Sequence, residues 1–297
     1  GAEPLRVFVV PHSHCDAGWT STYDEYYDAK VKHILTSVVS ELSRNAALRF
    51  TWSEVGFFSR WYEQQPATTR AAVATLVARG QLAFAGGGWV QSDEAVNHYE
   101  AVIDQMSLGH AYLRRSLNVS GPGTAALRVS WQIDPFGASA ATATLFSAMA
   151  FDAHVFDRVG DFDKVKRAEN GRMQFVWRVG GSSSGGGNGS GGTGDARLFT
   201  HLLDQLLYIG PLLWGDNDSG LKADPITKNN VATHTAELVG ELLVRAKQYV
   251  NATSNGVLIP HGGDFAFVDA AIEFGNMSLL VDHARNVYNN DVVIKYA

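Results

Sequence analysis

Apolar residues along this chain gather in short, β-branched runs separated by longer stretches of helical spacing. The runs read as strands over 5–11 (LRVFVVP), 48–54 (LRFTWSE), 82–86 (LAFAG), 128–134 (RVSWQID), 153–158 (AHVFDR), 198–203 (LFTHLL), 256–261 (GVLIPH) and 292–297 (VVIKYA). Helical patterns fill 24–44, 66–79, 94–116, 138–150, 232–250 and 269–288; in the third, Val96, Tyr99, Val102, Ile103 and Met106 recur on one face. Near-continuous apolar strands alternating with helices predict an α/β fold whose parallel sheet is buried on both faces. Seven or eight such units favour a closed or nearly closed β/α barrel over an open doubly wound sheet. A single domain is expected over 1–297. The Gly/Ser-rich stretch 180–194 is read as a surface insertion, since it lacks the spacing of a phosphate-binding loop. A second loop, 210–230, joins the sixth strand to the next helix.

Composition narrows the class. A chain that is 45% hydrophobic and 11% aromatic can bury a sizeable core. No run reaches the 18 or so apolar residues that a membrane span needs. The net charge of −6 gives no basic footprint for nucleic acid. One cysteine, Cys15, allows no disulfide within the chain, which by itself suggests a reducing compartment. Five Asn-X-Ser/Thr patterns, at Asn118, Asn188, Asn217, Asn251 and Asn276, argue the other way. Chance would give about two. The chain is therefore expected on the secretory route, with a signal peptide removed ahead of residue 1.

The chemistry gathers at one end of the strands. His12, His14, Asp16 and Trp19 follow the first strand, and Glu54 the second. Gly86, Gly87, Gly88, Trp89 and Asp93 follow the third; Asp134 closes the fourth and Arg158 the fifth. His201 and Tyr208 lie at or beyond the sixth, with His261 and Asp264 after the seventh. Barrels and open α/β sheets both build their sites at that edge. In extended backbone His14 and Asp16 share a face, as a borderline cation such as zinc requires, while Cys15 points away. Ordinary loop hydrogen bonds are the alternative. His12 is read as a residue that could orient a ligand. Pro135 holds Asp134 extended at its strand end, either aimed out of the sheet or capping the helix near Ala138. Gly262 and Gly263 are expected to turn the chain tightly and present Asp264. Together Asp134 and Asp264 make the carboxylate pair that glycoside hydrolysis uses. Trp19, Trp89 and Phe136 are candidate platforms for a sugar ring, or parts of the core.

These segments resemble, in order, those of the glycoside hydrolase family 38 α-mannosidases, in their N-terminal catalytic domain and most of all the lysosomal type. The resemblance rests on PHSHCDAGW (11–19), GFFSRWYEQQ (56–65), FAGGGWVQSDEA (84–95), DQMSLG (104–109), WQIDPFG (131–137), LFTH (198–201) and GGDF (262–265). It implies a seven-stranded β/α barrel, with helical and β-sandwich domains following in the family but not in this chain. It implies one Zn2+ held by His14, Asp16 and Asp134, with Asp134 also the nucleophile and Asp264 the general acid/base. The family's fourth zinc ligand is a histidine lying beyond the barrel domain. Trp19, Phe136, Arg158 and Tyr208 match positions that line the sugar site. Ile209 stands where some Golgi-type members carry Asp.

The implied partners are mannose-containing oligosaccharides, and a homo-oligomer is compatible. The implied place is the lysosome, with a Golgi or extracellular lumen as alternatives. Two other readings stand beside this one: a related-barrel zinc carbohydrate deacetylase, and an inactive truncated sugar-binding domain.

Overall fold

The structure, a computed structural model, describes residues 3–119, 127–179, 196–204, 208–210, 225–249 and 255–297. Nine strands are described: β1 Leu5–Pro11, β2 Phe50–Trp52, β3 Leu82–Phe84, β4 Val129–Gln132, β5 Ala153–Phe156, β6 Gln174–Val179, β7 Ala196–Leu202, β8 Gly256–His261 and β9 Val292–Tyr296. The helices are α1 Tyr23–Tyr26, α2 Lys32–Arg44, α3 Val55–Glu63, α4 Ala67–Ala78, α5 Tyr99–Leu117, α6 Ala140–Ala148, α7 Asp161–Glu169, α8 Val231–Ala246 and α9 Ala270–Val287. A π-helical turn, Tyr27–Val31, makes α1 and α2 one continuous rod.

All ladders are parallel except β6 on β7. They form three sheets, ordered β8-β1-β9, β2-β3 and β4-β5-β7-β6. The ladders therefore do not join into the single seven-stranded barrel sheet that was expected. Strands β2 and β3 have three residues each, and Gly86 and Gly87 turn the chain through positive φ (68° and 71°) directly after β3. Among the described residues, only isolated backbone links cross the gaps: a parallel bridge from His12 to Thr51, Gly86 N–H to the Val129 carbonyl at 2.8 Å, and Gly262 N–H to the Ile209 carbonyl at 3.3 Å.

Three elements escaped the pattern. Seven of the nine residues of α3 are buried, four of them aromatic, and the helix is too short to repeat a helical period more than about twice. In α7 the one buried residue is a lysine, Lys164, bonded at 2.6 Å to the buried Asp157, while Phe162 and Val165 face out. That reverses the polarity on which periodicity depends. Strand β6 is an antiparallel edge that follows α7 directly.

The core lies between the sheets and the helices that follow them. Val31, Ile34, Leu35, Val38 and Leu42 of the rod join Phe274, Met277 and Leu280 of α9 and Val7 and Val9 of β1 in one buried cluster. Each such side chain contributes about 1.5–3 kcal/mol on burial. The rod begins at a capping box: Thr22 N–H donates to Glu25 Oε2 (2.8 Å), and Glu25 N–H donates to Thr22 Oγ1 (3.3 Å). This fixes the exit of the loop that carries His14, Asp16 and Trp19.

Two helical glycines make opposite predictions. A Cβ on Gly109 of α5 would stand 2.2 Å from the Gly87 carbonyl oxygen, where backbone must give way. One on Gly240 of α8 meets nothing within 4 Å. Thermal melts should show Gly109→Ala destabilised by about 1–3 kcal/mol through overpacking. Gly240→Ala should be stabilised by about 0.5–1 kcal/mol through helix propensity. Equal melting of the two variants would contradict this packing.

Candidate metal and carboxylate site

The β1–β8 ladder resumes for one residue beyond the strands. His14 N–H donates to the Gly263 carbonyl (3.0 Å), and Phe265 N–H donates to the His14 carbonyl (2.9 Å), so His14 and Asp264 are bridge partners. The turn after Asp264 corrects the sequence reading. It is made by Phe265 and Phe267 at φ 51° and 70°, a conformation that costs a non-glycine residue about 1–3 kcal/mol and is held here by burial of both rings. Gly262 serves a different purpose: a Cβ there would lie 2.0 Å from the His12 carbonyl oxygen. The two segments can lie this close only because that Cβ is missing.

Around His14 four acidic side chains converge. Its Nε2 lies 3.2 Å from Asp16 Oδ1 and 3.6 Å from Asp134 Oδ2, and its Nδ1 lies 3.6 Å from Glu54 Oε1. Asp264 is the fourth, its carboxyl near enough to feel the His14 charge. Burial alone would push the His14 pKa down. The hydrogen bond to Asp16 and the charges of Glu54, Asp134 and Asp16 overcome it and raise it to about 9. Glu54 is only 2% exposed, and burial raises its pKa despite His14 and a bond from Gln91.

Asp134 is held from the other side. The Arg158 guanidinium donates to its Oδ1 at 2.7 Å, and the Tyr208 hydroxyl lies 3.1 Å from the same atom. Tyr208 also reaches Asp264 Oδ1, at 2.9 Å. The helix-capping alternative for Asp134 falls away, because Ser139 Oγ caps α6 by accepting from Ala141 N–H. Burial raises the Asp264 pKa, the Asp134 and Asp16 charges add to this, and His14 and Tyr208 partly offset it.

One ligand atom from each of His14, Asp16 and Asp134 lies within 4.8 Å of the others. One imidazole nitrogen and two carboxylate oxygens suit a borderline dication such as zinc. The strength with which the surrounding carboxylates hold a proton on His14 is the field such an ion would meet. The residues present fit a metal.

Other strand-end residues sort differently. His12 donates from Nε2 to the Tyr208 carbonyl (2.7 Å) and is neutral, its pKa lowered to about 4 by burial; it positions the tyrosine backbone and not a metal ligand. His261 is buried edge-on to Phe267, with its pKa lowered to about 3. His201 stacks on Tyr249. Asp93 caps a local turn through Ala95 and Val96 N–H. Cys15 is buried beside Ser13. Trp19 and Phe136 are 72% and 62% exposed at the rim, with Arg158 over the Phe136 ring. Trp89 is half-buried, edge-on to Tyr112 and packed against the core.

Of the five sequons, Asn118 is exposed at the left-handed cap of α5. Asn276 is 7% exposed inside α9 with Oδ1 accepting from Ile226 N–H, a setting with no room for a glycan. Asn188, Asn217 and Asn251 lie outside the described residues, as do the insertion 180–194 and most of loop 210–230.

Sequence reasoning missed Gln91. Its side-chain nitrogen lies 2.9 Å from His14 Nδ1 and donates to Glu54 Oε1 at 2.6 Å, while its Oε1 accepts from Ile133 N–H at 3.2 Å. Partners so far apart in the chain leave no local signal.

Comparison with known proteins agrees with this layout. The family model described as "Glycosyl hydrolases family 38 N-terminal domain" matches residues 4–296. The chain is 36% identical to alpha-mannosidase B of Dictyostelium discoideum over 322 residues, covering 99% of this chain and 29% of that protein. It is also 36% identical to the lysosomal alpha-mannosidase of Mus musculus, again covering 99% of this chain and 29% of the relative. The chain thus spans under a third of the length of these relatives. An alpha-mannosidase structure from Enterococcus faecalis superposes with a TM-score of 0.69 at 16% identity, covering 99% of this chain and 28% of that one, a likeness of fold.

Proposed function

The chain belongs to glycosyl hydrolase family 38, and on that premise we propose that the protein carrying it is a zinc-dependent retaining exo-α-mannosidase. Its substrates are terminal α-mannose residues of N-glycan-type oligosaccharides, and the names of the Dictyostelium and mouse relatives support this class. A lysosomal or other secretory lumen follows from the same names and from the exposed sequon Asn118. We read β1–β5, β7 and β8 as the seven staves of an open, distorted β/α barrel, a reading supported by the isolated bonds across the sheet gaps.

One observation carries the mechanism: the Tyr208 hydroxyl touches both Asp134 and Asp264. Two contacts of 3.1 and 2.9 Å cap the Oδ1–Oδ1 separation at about 6 Å. That favours the roughly 5–5.5 Å of retaining enzymes over the roughly 6.5–9.5 Å that leaves room for an inverting water. A phenol has one proton to give, so both contacts are satisfied together when one carboxyl is protonated. We assign that proton to Asp264, whose carboxyl burial pushes toward the neutral form. This arrangement favours a glycosidase over a metal-water deacetylase, which needs no second carboxyl so placed.

In the proposed cycle the Asp134 carboxylate, aligned by Arg158, attacks the anomeric carbon while Asp264 gives its proton to the departing oxygen. A glycosyl ester forms on Asp134. Asp264, now ionised, takes a proton from water, which displaces Asp134 and releases mannose. His14, Asp16 and Asp134 would hold the zinc ion, which would supply positive charge for binding sugar hydroxyls. Trp19 and Phe136 offer apolar rims for the ring.

Metal uptake itself is predictable. With its pKa near 9, His14 is protonated at pH 7 and must lose the Nε2 proton to bind an ion. Calorimetry in buffers of different ionisation enthalpy should therefore show one zinc bound per chain with about one proton released. Affinity should rise about tenfold per pH unit up to about pH 9. Uptake with no proton release would place the metal elsewhere. The functional test is hydrolysis of a chromogenic aryl α-mannoside with zinc and with a chelator. Zinc-dependent release supports the proposal, and full turnover under chelation contradicts it.

A further inference from the structure

Asp134 sits on a loop, residues 133–138, that joins β4 to α6. Ile133 and Pro135 are buried and anchor its first half. The second half has little around it: Phe136 is 62% exposed, and Gly137 stands at φ 111° with open space where a Cβ would be. The β4–β5 ladder stops at Gln132, and α6 starts only after Ser139. Among the described residues, no backbone-to-backbone hydrogen bond anchors 133–138. The loop is therefore held by side chains.

Arg158 grips Asp134 itself and lies over the Phe136 ring, and Gln91 Oε1 accepts from Ile133 N–H. Glu94 reaches both ends of the loop at once. Its Oε1 accepts from the Gln132 side-chain nitrogen at 3.2 Å, immediately before the loop, and its Oε2 accepts from Ser139 N–H at 2.5 Å, immediately after it. Gln132 is fixed in turn by donating to the Ser92 carbonyl at 2.8 Å. The backbone beside Glu94 is stiffened by Asp93, whose Oδ1 accepts from Ala95 and Val96 N–H at 2.6 and 2.8 Å. These bonds lie in the gap between the β2-β3 and β4-β5-β7-β6 sheets, where no strand ladder joins the two sides. A carboxylate has acceptor sites enough to serve both donors, and both oxygens are used here.

We propose that Glu94 is a positioning residue for the nucleophile: its carboxylate staples the two ends of loop 133–138 to each other and to the segment after β3, which fixes Asp134 beside Tyr208 and Asp264. The inference rests on the α-mannosidase reading above and adds to it a residue of the segment FAGGGWVQSDEA that the proposed cycle does not use.

The test compares kcat/KM of the parent, Glu94→Ala and Glu94→Gln on a nitrophenyl and a dinitrophenyl α-mannoside at saturating zinc, with thermal melting of the same proteins. A slack loop misplaces the attacking oxygen, and an error of about 1 Å can cost about 100-fold. Glu94→Ala should therefore lose about 10- to 100-fold on both substrates, since protonation of the leaving group has no part in the fault. Glu94→Gln keeps a carbonyl oxygen for Ser139 N–H and should lose only about three- to tenfold; it stands in if the alanine variant does not fold. A purely structural role predicts a lower melting temperature while kcat/KM, read well below the melt, equals that of the parent. A loss confined to the nitrophenyl substrate would place the effect on proton donation by Asp264 and overturn the inference. Equal kcat/KM in all three proteins overturns it as well and leaves the α-mannosidase reading intact. A parent inert towards both mannosides overturns both.

Discussion

Replacing Asp134 with asparagine is expected to reduce turnover of any α-mannoside by about 10⁴- to 10⁶-fold, the scale seen when a nucleophile is lost from a covalent mechanism. The substitution removes two things at once. The amide cannot form the proposed glycosyl ester, and the candidate cation site loses one of its two carboxylates. The structure allows these to be separated. Asp134→Asn retains a carbonyl oxygen that can face Tyr208 and Arg158, so folding should be nearly unchanged. Asp134→Ala leaves a hole at the anomeric face, which a small anion such as azide can enter. Turnover of an activated aryl mannoside by the alanine variant should therefore recover with azide and yield an azido sugar. Normal rates in either variant, measured by release of the aryl group, would remove Asp134 from the chemistry.

The second large effect concerns Asp264, and its size depends on the leaving group. Asp264→Asn should lose about 10²- to 10⁴-fold on substrates whose departing oxygen needs a proton. It should lose much less in the first step on a dinitrophenyl mannoside, whose leaving group departs unprotonated. The pH dependence follows from the raised pKa. In its proposed role as the acid, Asp264 must hold its proton, so parent activity should fall as pH rises through that raised value. Burial and the neighbouring Asp134 charge set this alkaline limb. In Asp264→Asn this alkaline limb should vanish from a profile that is low throughout. A limb that persists in the variant, seen in kcat/KM profiles, would assign the acid to another group.

The contrast between what the sequence foretold and what it did not is physical. His14 and Asp16 were legible because two residues of extended chain return to the same face. Asp134 was legible because Pro135 fixes its backbone, and the ordered motifs reinforced both. His12, His201 and His261 occupy equivalent strand-end positions in the sequence but face the interior, where burial keeps them neutral. Only the phase of each strand relative to its neighbours decides between edge and interior, and no local pattern encodes that. The turn presenting Asp264 was assigned to the wrong residues for a similar reason. Glycine there serves the close approach to His12, while two buried phenylalanines bear the strained φ. Helix α7 was hidden because a lysine, neutralised by Asp157, takes its buried position. Gln91 could not be found at all, since its partners lie 77, 37 and 42 residues away. Strand positions were close to the ladders observed, but the joining of those ladders depends on strands of three residues.

The most direct test of the two-carboxylate account is the anomeric configuration of the first product. An aryl α-mannoside should be hydrolysed with zinc present and followed by proton NMR before mutarotation sets in. The short separation between Asp134 and Asp264 predicts α-mannose first, with the β-anomer appearing only later as the sugar equilibrates. β-Mannose as the first product would require a water between the carboxyl groups and would contradict the mechanism.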